Sequence, residues 1–112
     1  MDTIINSLAN SAYIIVNKKL IQKLGLDCAV MIGELCSEYT YWKNQDKLEG
    51  GFFFSTRENI FKNTGLSNYN QRKALGKLVE LQIVSEQYKG LLAKKWYSLN
   101  LNKLDEILEK EN

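Results

Sequence analysis

The chain has 112 residues, 45% hydrophobic and 25% charged, which suits one domain with a buried core and does not suit a disordered segment. No run approaches 18 apolar residues, so no membrane-spanning helix is expected, and without histidine there is no imidazole base and no histidine-bearing zinc site. The net charge of +2 is uneven: residues 1–56 sum to −1, residues 57–103 to +6 and residues 104–112 to −3, so a polyanion would dock on the middle block.

The N-terminus carries Asp2 and no basic region before an apolar run, which argues against a signal peptide and for a cytosolic protein. Residues 1–11 read either as a short helix through Ile4, Ile5 and Leu8 or as a loose arm. Tyr13 to Val16 is β-branched and aromatic and reads as a short strand. Asn17 can cap a helix over Lys18–Leu24 that Gly25 ends. Asp27 is placed to cap a longer helix, Cys28 to about Lys43. That helix is apolar over more than half its circumference, which suits a central core helix. Its aromatic residues Tyr39, Tyr41 and Trp42 are alternatively a homodimer surface. Cys28 and Cys36, eight apart on one helix, are about 12 Å apart along its axis, too far for a mutual disulfide. Glu34 and Glu38, four apart, read as a solvated face.

A polar loop, residues 44–51, leads to a short strand at Phe52–Phe54. Ser55 or Thr56 can cap the next helix, with Glu58 completing a capping box from Ser55. Gly65 ends that helix and Ser67 caps another over about residues 68–81, the order of a helix-turn-helix. On the second helix Gln71, Ala74, Leu75, Leu78, Val79 and Gln82 share one side, while Tyr69, Asn70, Lys73 and Lys77 share the other, with Arg72 lateral. Gly76 costs that helix about 1 kcal/mol relative to Ala, for no reason visible in the sequence. Residues 83–88 and 95–99 read as two strands joined through Lys89-Gly90, a hairpin whose tip carries Leu91-Leu92. Leu66, Leu75, Leu78, Val79, Ile83 and Trp96 are the expected core, and Asn102 is placed to cap a final helix to about Lys110.

The expected fold is therefore α+β, a single winged helix-turn-helix domain over residues 1–112 with its core motif at 50–104 and a small three-stranded antiparallel sheet. The chain carries no Walker motif, no GxGxxG and no metal-ligand spacing, so no enzyme activity, cofactor or metal is expected.

GGFFFST at 50–56, TGLSNYNQRKAL at 64–75, LVELQIV at 78–84 and KGLLAKKWYSLN at 89–100 resemble the winged-helix domain of phage and plasmid replication proteins of low-GC Gram-positive bacteria. YIIVN and AVMIGELCSEYTYW upstream fit the same domain, so the resemblance covers about nine-tenths of the chain. It departs at Gln82, where a Gly is common, and at Asn112, where family initiators often continue. The resemblance implies sequence-specific binding of double-stranded DNA in replication or its control. It points to Asn68, Tyr69, Asn70, Arg72, Lys73 and Lys77 on the reading helix, and to Lys89, Lys94 and Lys95 on the wing. The rival reading is a module that captures a host or phage protein, supported by the aromatic helix and by Leu91-Leu92.

Overall fold

The computed structural model describes residues 2–10, 12–90 and 94–110, so the Leu91-Leu92 tip of the hairpin lies outside the described residues. The chain is α+β, mostly helical, with one three-stranded antiparallel sheet. Its elements are α1 (Asp2–Asn10), α2 (Lys18–Leu24), α3 (Leu26–Asn44), β1 (Phe53–Phe54), α4 (Arg57–Thr64), α5 (Asn68–Glu80), β2 (Val84–Lys89), β3 (Lys94–Leu99) and α6 (Leu101–Glu109). None of the described helices is long and apolar enough to cross a membrane.

α1 is a helix rather than a loose arm, and no other described element packs on it. Tyr13 to Val16 is not a strand. It crosses α3 instead, and Gly33 is what permits the approach: a Cβ there would lie 2.3 Å from the carbonyl oxygen of Ile15. Asn17 caps α2 as expected, its side chain accepting from the Leu20 amide at 3.0 Å. α3 starts earlier than Asp27 would set, because Gly25 is its N-cap; Asp27 lies in the first turn, where its charge still suits the helix dipole. Cys28, Met31, Ile32 and Leu35 make α3 the central core helix, contacting α2, α4, α5 and the sheet. Tyr39 leans edge-on to Phe53 at 6.3 Å, whereas Tyr41 is exposed.

Gly50 and Gly51, both at positive φ, form the turn of a tight hairpin in which Glu49 and Phe52 exchange backbone hydrogen bonds. Thr56, not Ser55, caps α4, accepting from the Asn59 amide at 3.1 Å. Ser55 is unavailable for a capping box with Glu58 because it is buried beside β1. Gly65 ends α4 at φ 77°, its amide donating to Phe61. Leu66 is buried between the helices, and Ser67 caps α5 by accepting from the Asn70 amide at 3.1 Å.

α5 ends in a two-bond reverse turn: Ile83 donates to Leu78 at 2.9 Å and Gln82 to Val79 at 3.0 Å. This requires the left-handed conformation at Gln82, φ 64°. The chain then enters the sheet, whose order β1-β3-β2 makes β3 central. Phe53 pairs with Tyr97 and Phe54 with Trp96. The expected core is corrected at two positions. Trp96 points to the outer face and is half-buried, because alternation along β3 turns Tyr97 inward against Phe53. Val79 is exposed because the buried stripe of α5 runs through Gln71, Ala74, Leu75 and Leu78 and leaves it on the flank. The last helix is capped by Asn100 rather than Asn102; its side chain accepts from Lys103 at 3.1 Å while its own amide donates to Ile83 at 2.8 Å. Lys19 and Lys23 fasten α6 to α2 by donating to carbonyls in its last turn and just beyond, those of Leu108, Ile107 and Lys110.

Candidate nucleic-acid interface

One polar side chain ties α4 to α5. The Gln71 amide nitrogen donates to Arg57 at 3.1 Å and to Leu66 at 2.9 Å, joining α5 to the start of α4 and to the turn. Because Gln71 and the apolar stripe face inward, the opposite side of α5 faces solvent.

Asn68, Tyr69, Arg72 and Lys73 are exposed there, with Tyr69 at 64%. Their spacing of three and four residues makes one strip with Gly76. Nothing lies within 4 Å of where a Gly76 Cβ would be, so internal packing does not explain the glycine. Asn70 is half-buried. Lys77 continues the strip, but its ammonium donates to the Leu24 carbonyl at the end of α2 at 3.0 Å. It is therefore a link between α5 and α2 as well as a surface charge.

On the hairpin, Lys89 and Lys94 are direct cross-strand partners. Like charges placed so oppose each other. Each is held over rings on the outer face: Lys89 at 4.9 Å from Trp96 and 5.4 Å from Phe52, Lys94 at 5.2 Å from Phe54. Lys95 belongs to the other face. It forms an ion pair with Glu86 at 3.3 Å and lies over Tyr97 and Tyr88. That is the one ion pair among the described residues, so the charges of Arg72, Lys73, Lys89 and Lys94 are left without a carboxylate contact.

Two features were missed by sequence reasoning. The outer aromatic face, Phe52, Phe54 and Trp96, depends on strand register. The pair Glu34 and Glu38 is not a solvated face: Glu34 is 2% exposed and Glu38 9%. Glu34 accepts from the Asn63 side chain at 2.9 Å, tying α3 to α4. Burial, then the adjoining Glu34 carboxyl, pushes Glu38 up to about 8. Glu38 Oε2 and Ser55 Oγ have no hydrogen-bond partner among the described residues. The detectable signal was their spacing, since positions 34 and 38 fall within the stripe that carries Met31 and Leu35. No group of three or more metal-ligating side chains occurs among the described residues.

No family model, curated protein or solved structure matches the chain.

Proposed function

We propose that the chain is a winged-helix protein that binds double-stranded DNA in a sequence-specific manner, with α5 as the reading helix and the β2–β3 hairpin as the wing. The observation that carries this reading is charge left unneutralised on one motif. Arg72 and Lys73 on α5, and Lys89 and Lys94 on the hairpin, have no carboxylate contact among the described residues, in a segment whose net charge is +6. A buried glutamine ties α5 to the start of α4 and to the turn before it. The two opposed wing lysines would be relieved by phosphate. Asn70 and Arg72 have the side-chain chemistry that reads adenine and guanine edges. The role in replication of a phage or plasmid, or in its control, rests on the sequence resemblance.

The test is an electrophoretic shift with duplex from the flanks of the protein's own gene, against random duplex of equal length. Preferential retardation of the flanking DNA supports the reading. Equal or absent retardation at low salt removes it.

One observation favours a second reading, capture of a protein partner. The outer sheet face presents Phe54 and Trp96 with Trp42 and Leu48 around a groove of about 380 Å³. If DNA does not bind and Trp96→Ala abolishes capture of a replication protein, that reading stands instead.

A further inference from the structure

Glu34 and Glu38, one turn apart on α3, are both buried, and neither forms an ion pair among the described residues. Asn63 of α4 donates to one oxygen of Glu34 at 2.9 Å. Nothing comparable serves Glu38 Oε2 or Ser55 Oγ, although only 9% of Glu38 and 5% of Ser55 is exposed. A buried polar atom without a partner is costly, and two in one place call for an explanation.

Glu34, Glu38, Ser55 and Asn63 line one cavity of about 470 Å³, bounded by α3, the end of β1 and α4. That size suits a small organic group. Trp42 and Phe54 line it as well, so ring surface and oxygen acceptors share the cavity. None of Arg72, Lys73, Lys89 and Lys94 does. The lining defines the chemistry of an occupant. It must bring hydrogen-bond donors for a carboxylate and a hydroxyl, positive charge to offset a buried carboxylate, and an apolar surface for the rings. A bare metal ion does not answer this, because no group of three or more metal-ligating side chains occurs among the described residues. An ammonium ion carries the charge but is strongly hydrated. A guanidinium ion is less hydrated, places its donors in one plane and stacks its faces on aromatic rings.

We propose that this cavity binds an alkylguanidinium group, with Glu38 and Ser55 accepting its N–H bonds and Trp42 and Phe54 flanking its faces. The proposal does not depend on DNA binding. Burial, then the adjoining Glu34 carboxyl, raises Glu38 to about 8, so near neutral pH the incoming cation displaces a proton. Glu34 is the titratable neighbour on the same helix. From the sheet, Tyr97 acts on Glu38, and burial raises its phenol so that it stays neutral. From α4 the cavity receives Asn59 and Asn63, which are neutral.

The test is calorimetric titration of the full chain with butylguanidine at about pH 6 and about pH 9. Saturable binding with a dissociation constant below about 10 mM is expected at the higher pH. Affinity should fall as pH is lowered through 8, by up to about tenfold per unit. Glu38→Gln should remove the pH dependence and weaken binding at high pH by about tenfold or more, with the circular dichroism of the parent. Ser55→Ala should weaken binding at both pH values. The side-chain amide resonances of Asn59 and Asn63 should shift on titration of the parent. Blocked arginine amide distinguishes the source: equal binding points to an arginine side chain, and binding of butylguanidine alone to a free guanidine. Either supports the proposal. Butylamine or neutral pentanamide binding as tightly as butylguanidine would overturn it. So would affinity independent of pH, or the absence of saturation, which would leave an ordered water as the partner of Glu38 and Ser55.

Discussion

The amide of Gln71 donates to the carbonyl of Leu66 across the turn that joins α4 to α5. One polar side chain, buried at 3% exposure, thus links the turn to the helix that follows it. Gln71→Ala should cost about 1–3 kcal/mol, because it leaves the Leu66 carbonyl buried without its partner. Ser67→Ala, which removes only a cap, should cost about 1 kcal/mol. Urea unfolding measures both, and Gln71→Ala should be the more damaging of the two.

Gln82 occupies a left-handed position at φ 64°. That conformation costs a residue with a Cβ roughly 1–2 kcal/mol. Gln82→Gly should therefore raise the unfolding midpoint despite the chain entropy of glycine. A lower midpoint would mean that the Gln82 side chain contributes more than its backbone strain removes.

Gly33→Ala should destabilise by about 1–3 kcal/mol, as overpacking does, since its Cβ would meet the Ile15 carbonyl. Gly76→Ala should do the reverse and stabilise by about 1 kcal/mol. If DNA lies against the α5 backbone at Gly76, the same change weakens binding while the fold gains. Unchanged affinity in a mobility-shift titration would place the DNA elsewhere on the helix.

Glu38 makes stability depend on pH. Its folded value of about 8 lies above the ordinary 4.5, so the folded chain holds a proton that the unfolded chain has lost between those values. Stability should fall as pH rises across that window, by up to about 1.4 kcal/mol per unit. It should level off above about pH 8. Glu38→Gln should abolish the slope. A parent whose stability is flat between pH 5 and pH 8 would refute the assignment.

Asn70→Ala and Arg72→Ala should each relax base preference at one or two positions of a DNA site, by about 1–3 kcal/mol. Lys94→Ala should instead weaken binding to all sequences and flatten the salt dependence by about one unit of log–log slope. Lys95→Ala should flatten it less, because Glu86 already neutralises that lysine. Equal effects of the two lysine variants would show that the Glu86 pair opens on binding.

The segment α4–turn–α5 was legible because its signals are local. Gly65, Ser67 and the stripe from Gln71 to Leu78 each act within a few residues. What was not legible depends on distant partners. A shift of one residue along β3 exchanges Trp96 for Tyr97 in the core, and only pairing with Phe53 settles which turns inward. The segment Tyr13–Val16 has strand composition but finds a helix beside it rather than a strand edge. Among the candidate site residues, exposure of Tyr69 and Lys73 follows from helical period. The engagement of Lys77 by Leu24 and of Lys95 by Glu86 does not.

Because β3 lies between β1 and β2, the strand that precedes α4 has its partner in the last strand of the chain, beyond α4, α5 and β2. Phe53 waits for Tyr97, a contact of long sequence separation, and such contacts slow folding. During synthesis α4 and α5 leave the ribosome before the strand that closes their loop. The amides of β1 and of β3 should therefore exchange with solvent through one shared opening event rather than two.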